Sequence, residues 1–176
     1  MVTSRWMRQT MVGLAAAAGG AALLPLAATP AAGAGTPACA TSGLVVWLDT
    51  QPGGAAAGST YVTLDFTNFS GHACSLSGYP GVSAVSLAGR QLGRAATRDR
   101  TTPPRTVVLP AGQSAQTTLQ ITQALNYPRA KCLPVMAAGV RVFPPNQTAA
   151  RLVPYPFTAC SRLGPVILSV RPVKKQ

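Results

Sequence analysis

From Ser114 to Thr122 the chain alternates without a break. Ala115, Thr117, Leu119 and Ile121 fall on one side, and Gln116, Thr118 and Gln120 on the other. A side-chain period of two belongs to a strand with one buried face; wound as a helix, the same residues would scatter polar and apolar groups around its circumference. The period recurs at Tyr61–Thr67, where Val62, Leu64 and Phe66 oppose Thr63, Asp65 and Thr67, so Asp65 is expected outward and solvated. Shorter apolar runs stand at Leu44–Leu48, Cys74–Leu76, Val82–Leu87, Thr106–Leu109, Gly139–Phe143 and Pro165–Val170, with a weaker one at Ala149–Val153. Turns separate them at Gly78-Tyr79-Pro80-Gly81, Ala88–Gln91, Pro110–Gln113 and Pro144-Pro145. The polar, basic stretch Arg94–Arg105, with Pro103-Pro104, is expected to be an exposed loop. Seventeen Gly and 16 Pro are too many for long helices, and charged residues at 10% are too few for a coiled coil. The predicted fold is all-β: an immunoglobulin-like antiparallel β-sandwich of seven to nine short strands.

The N-terminus carries a different signal. Arg5 and Arg8 precede a charge-free apolar run from Met11 to Ala28, and Ala32-Gly33-Ala34 places small residues where a signal peptidase cuts. Residues 1–34 are therefore predicted to be a signal peptide, cleaved near Ala34. A retained membrane anchor is the alternative, weakened by Gly19, Gly20 and Pro25 within the run. A short leader, 35–43, would then lead into a single sandwich domain over 44–173, ending in a basic tail at 174–176. The expected location is extracellular or in the cell envelope, with membrane attachment only if the signal segment or a lipid is retained.

All four cysteines, Cys39, Cys74, Cys132 and Cys160, follow that segment. An even count behind an export signal predicts two disulfides, for which three pairings exist. The sequential pairing, Cys39 with Cys74 and Cys132 with Cys160, is the simplest. No CxxC pair or Cys–His spacing supports zinc, so no metal and no cofactor is expected.

The run from Leu64 to Val82, LDFTNFSGHACSLSGYPGV, carries a more specific signal. It resembles the signature of a family of secreted actinobacterial proteins designated domain of unknown function 4232, with Asn68, Ser70, Gly71, Cys74, Gly78, Tyr79, Pro80, Gly81 and Val82 at matching positions. Leu109-Pro110-Ala111-Gly112, the late Cys132 and Cys160 and the apolar last strand also match, so the resemblance spans about 39 to 173. The resemblance implies a β-sandwich with two disulfides outside the cytoplasmic membrane, and it brings no catalytic or ligand residues. Thr36-Pro37-Ala38-Cys39 lacks the aliphatic residue of a lipid-attachment site, which leaves Cys39 to pair with Cys74. The motif residues Asn68, Ser70, Gly71, Gly78, Tyr79, Pro80 and Gly81 suit strand-ending turns, with a ligand corner as the alternative.

Residue supply argues against catalysis. There is one His, His72, and there are three acidic residues, Asp49, Asp65 and Asp99, with no Glu. No GxSxG elbow accompanies a Ser, and Asp99, between Arg98 and Arg100, is expected to be a solvated surface group. The remaining feature is charge. Fifteen Lys and Arg against three acids make the net charge +12, and Arg90, Arg94, Arg98, Arg100 and Arg105 form a basic run. A positive field of this kind attracts anionic partners such as wall polymers or lipid head groups. A dedicated nucleic-acid ligand is not expected, since the few aromatics do not interleave with the Arg run. The leading expectation is a secreted, monomeric, non-catalytic binding domain of the cell envelope. The alternatives are a protease inhibitor presenting Tyr127–Leu133 beside Cys132, and a small hydrolase using His72.

Overall fold

The computed structural model describes residues 35–49, 54–56 and 58–176. The predicted signal peptide and residues 50–53 and 57 lie outside the described residues. The strands in chain order are β1 (Leu44–Asp49), β2 (Ala55–Ala56), β3 (Ser59–Asn68), β4 (Cys74–Ser77), β5 (Gly81–Val85), β6 (Gln91–Leu92) and β7 (Thr97–Arg98). They continue with β8 (Thr106–Leu109), β9 (Ser114–Thr122), β10 (Pro134–Phe143), β11 (Arg151–Cys160), β12 (Leu168–Val170) and β13 (Lys174–Lys175). A single helical turn, α1 (Arg129–Cys132), precedes β10. The protein is all-β.

The largest sheet runs β1-β3-β9-β12-β7, with β2 added to β3 and β13 added to β9. A second has the order β11-β10-β5-β6, and β4 pairs with β8 in a two-stranded third. Pairing is antiparallel except at β12–β7, where Ser169 and Val170 lie beside Thr97 and Arg98 in parallel. That pair corrects the expected Arg94–Arg105 loop: its middle is recruited to a sheet edge, because Leu168–Val170 otherwise leaves that edge unpaired.

One core joins the three sheets. Leu64 and Phe66 of β3, Leu119 of β9 and Leu168 and Val170 of β12 pack in the same cluster as Val82 of β5, Val140 and Val142 of β10, and Leu76 and Leu109 of the small sheet. The β9 alternation is strict, with Ala115, Thr117, Leu119 and Ile121 all buried. On β5 it fails: Val82, Ser83, Ala84 and Val85 are all buried, because both faces of that strand are covered.

Strand β11 is twice the length its sequence suggests. Arg151–Cys160 contains Pro154 and Pro156, residues that cannot donate to a ladder and so favour an edge or a bulge. Here β11 is the edge strand, and its register to β10 shifts between Ala137 and Gly139, so one extra residue is accommodated beside the prolines. Gly139 is required there, since a Cβ on it would clash with the Val153 carbonyl oxygen.

The two disulfides are Cys39–Cys74 and Cys132–Cys160. The first fixes the leader to β4, alongside backbone bonds from Cys39 N–H to the Ser75 carbonyl and from Ser75 N–H to that of Pro37. The leader is anchored a second time where the Arg151 guanidinium donates to the carbonyls of Thr41 and Ser42. The second disulfide joins the end of α1 to the end of β11. Lys174 and Lys175, expected as a tail, instead form β13 against Gln116 and Ala115.

Asp65 departs from expectation in a different way. It does point away from Leu64 and Phe66, but it is only 1% exposed. Trp47 of β1 and Gln116 of β9 lie directly across the ladder on either side, and directly opposed residues share a face. Neither carboxylate oxygen of Asp65 has a hydrogen-bond partner among the described residues. Burial, with a smaller contribution from the Asp49 carboxylate, pushes its pKa up to about 6.

Candidate functional site

The last strand pairing contains an irregularity. Val170 lies opposite Leu119 and Lys174 opposite Gln116, so Arg171, Pro172 and Val173 face only Thr117 and Thr118. This is a β-bulge, which lets Pro172 occupy a position where no ladder donor is needed. Three bonds hold its shape. Arg171 N–H donates to the Thr118 carbonyl (3.1 Å) and Val173 N–H to the Gly78 carbonyl (2.9 Å). The buried Thr117 hydroxyl donates to the Arg171 carbonyl at 2.6 Å.

The bulge forms one wall of a groove of about 440 Å³, and the segment Thr102–Val108 forms the other. Arg105, Arg171, Lys174 and Lys175 all line it, together with the hydroxyl-bearing Thr102, Thr106 and Thr118. Its remaining lining is apolar: Pro103, Val107, Val108, Pro172 and Val173. Among the described residues, the Asp99 carboxylate reaches this cluster. Asp99 accepts from the Arg171 guanidinium at 3.1 Å, so it is an ion-paired group rather than the free surface carboxylate its sequence suggests. The Thr101 amide and side chain, and then Arg171, hold the Asp99 carboxyl below the usual carboxylate range. Four cations beside the Asp99 carboxylate leave the groove strongly positive.

The predicted basic run does not gather at one place. Arg105 reaches the groove. Arg98 lies over the Tyr79 ring, 5.6 Å from its centroid, a cation–π contact in a second depression lined also by Phe143, Pro144 and Asn146. Arg94 donates to the Leu163 carbonyl. Arg90 stands in the β5–β6 hairpin, and Arg100, next to Asp99, is exposed. The residues that complete the groove, Arg171, Lys174 and Lys175, come from the other end of the chain. Arg171 carries no sequence signal beyond its place before Pro172 at the end of an apolar strand.

The motif residues have structural work. Asn68 is fully buried; its side-chain N–H groups donate to the carbonyls of His72 and Leu109 (2.8 and 2.9 Å). Its side-chain oxygen accepts from the amide and hydroxyl of Ser70 (3.0 and 2.7 Å). Gly71 and Gly78 adopt φ of +80° and +101°, a region L side chains rarely enter. Pro80 is buried, Gly81 opens β5 beside Phe143, and the Tyr79 hydroxyl makes a long hydrogen bond to the Thr102 carbonyl on the groove wall.

His72 is exposed, and its contribution to this clamp is its carbonyl. Tyr127–Leu133 is not extended: it winds through α1 into Cys132, which is buried, and ends at Leu133 with a left-handed φ of 45°. Among the described residues no group of three or more His, Cys, Asp or Glu side chains could hold a metal ion. No helix among them is long and apolar enough to cross a membrane.

Comparison with known proteins gives one positive finding. The family model described as Domain of unknown function (DUF4232) matches residues 39–174. No curated protein and no solved structure matches.

Proposed function

The chain belongs to the family described as Domain of unknown function (DUF4232), and from that premise we propose that it is a secreted, non-catalytic binding domain that holds an anionic partner outside the cytoplasm. The observation that carries the reading is the convergence of Arg105, Arg171, Lys174 and Lys175 on one groove. The two disulfides are in keeping with an oxidising compartment, and the apolar N-terminal run with its Ala-Gly-Ala site supports export. Charge at a groove raises the local concentration and association rate of an anion, and this attraction weakens as salt rises.

Polyphosphate is a suitable probe. The isolated protein is expected to bind it with an affinity that falls steeply with ionic strength. Replacing Arg105, Lys174 and Lys175 together by Gln should weaken binding by about tenfold or more, given roughly 1 kcal/mol per lost contact partly offset by screening. Replacing Arg90, Arg100 and Arg129 by Gln removes the same charge elsewhere and should cost much less. Equal losses in the two triple variants would reduce the groove to a share of a diffuse field and defeat the reading. Intact mass from culture medium tests export: a soluble species beginning near Gly35 is expected.

A further inference from the structure

Charge accounts for only part of the groove. A site for a bare phosphate or a polyanion would present donors on every wall, whereas here the cations and threonine hydroxyls share the lining with Pro103, Val107, Val108, Pro172 and Val173. Val108 is 51% exposed. Strand β8 turns Val107 and Leu109 into the core and Thr106 and Val108 out, so Val108 is an apolar side chain presented to solvent beside a cluster of cations. Such a residue gains nothing from a hydrated polyanion. It gains from an apolar body held against it, at about 25 cal/mol per Å² removed from water.

We infer that the groove takes a single anionic amphiphile, with its phosphate or carboxylate head among Arg171, Lys174 and Lys175 and its apolar body along Val108, Pro103 and Pro172. This rests on the anion-binding reading above and names the partner's class. The volume, about 440 Å³, lies within the range of small-molecule sites and suits one molecule rather than a polymer. The bulge makes the arrangement possible. It sets Pro172, an apolar residue without a ladder donor, between the cationic Arg171 and Lys174, so both chemistries line one trough.

The test is isothermal titration of the protein as isolated with four probes: dodecyl phosphate below its micellar concentration, inorganic phosphate, polyphosphate, and phosphatidylglycerol vesicles. Dodecyl phosphate is expected to bind at least tenfold more tightly than inorganic phosphate. Val108→Thr preserves β-branching and strand propensity while placing a hydroxyl in the trough. It should weaken dodecyl phosphate about fivefold and leave polyphosphate affinity unchanged. Equal affinity for dodecyl and inorganic phosphate, or indifference of dodecyl phosphate to Val108→Thr, would overturn the amphiphile and leave the anion site standing, provided the Arg105/Lys174/Lys175 triple variant still loses polyphosphate. Binding to vesicles without uptake of monomeric dodecyl phosphate would overturn it in favour of a membrane surface. If the triple variant retains both dodecyl phosphate and polyphosphate binding, the inference and the reading beneath it fail together.

Discussion

The Thr117 hydroxyl donates to the carbonyl of Arg171 across 2.6 Å, so a side chain from the core face of β9 holds the bulge that carries the basic groove. The bond explains a polar residue at a position where Ala115 and Leu119, its neighbours on that face, are apolar. Thr117→Val keeps the shape and removes the donor, leaving the carbonyl short of a partner. A loss of about 1–2 kcal/mol in urea unfolding is expected, with weaker polyphosphate binding. Thr117→Ser should restore most of the affinity, which a loss of packing alone would not allow.

Asp65 makes stability depend on pH in an unusual direction. Its folded-state pKa of about 6 lies above the ordinary 3.8, so the folded protein holds a proton that the unfolded chain releases. Its contribution is fully present below about pH 4, is lost as pH rises to about 6, and stays lost above that. The size is about 2–3 kcal/mol. Urea midpoints at pH 4, 5, 6 and 7 should fall through this window in the natural protein and run flatter in Asp65→Asn. A midpoint that is independent of pH in both proteins would contradict the buried, unpartnered carboxylate.

Asn68 uses both ends of its amide, so its isosteres separate two contributions. Asn68→Ala abandons the carbonyls of His72 and Leu109 and the amide of Ser70 together, and should cost about 2–4 kcal/mol. Asn68→Asp keeps the acceptors for Ser70 but loses both donors and buries a charge. It should be at least as damaging at pH 7 and recover partly at low pH, as thermal melts at the two pH values would show.

The disulfides close loops of similar length, with sequence separations of 35 and 28. In the chain-entropy model each contributes about 3–4 kcal/mol, differing by only a few tenths. Paired Cys→Ala variants of each bridge should therefore be destabilised nearly equally in urea. A much larger loss at Cys39–Cys74 would point instead to the leader contacts of Thr41 and Arg151.

Among the described residues, the Asp99 carboxylate pairs with the groove cation Arg171. Asp99→Asn frees Arg171 and raises the local charge by one. Because Arg171 is half-exposed and solvent screens the pair, little stability is at stake, while polyphosphate affinity at low salt should rise about two- to fivefold. The gain should vanish at high salt, which titrations at two ionic strengths would reveal.

Several elements were legible in the chain because their signal is local. The alternation at Ser114–Thr122 specified which side chains are inward, and the two predicted disulfide pairs form between cysteines adjacent in sequence order. Other elements answer to partners. Pro154 and Pro156 disguised β11 until its place at a sheet edge made them tolerable. Val82–Val85 shows no polar face because neighbours cover both sides of the strand. Arg90, Arg94, Arg98, Arg100 and Arg105 form one run in sequence, yet Arg98 turns toward Tyr79, Arg94 toward Leu163 and Arg105 toward the groove.

The chain by itself determined the β class, the turn glycines and the supply of cations, because backbone preference, side-chain period and composition belong to each residue and its near neighbours. Tertiary structure alone decided that Arg171, Lys174 and Lys175 meet Arg105, and that an outward-pointing Asp65 is shielded from water. Both outcomes depend on which strands lie side by side. Register brings together residues far apart in sequence, and burial is set by what a neighbouring strand places over a side chain.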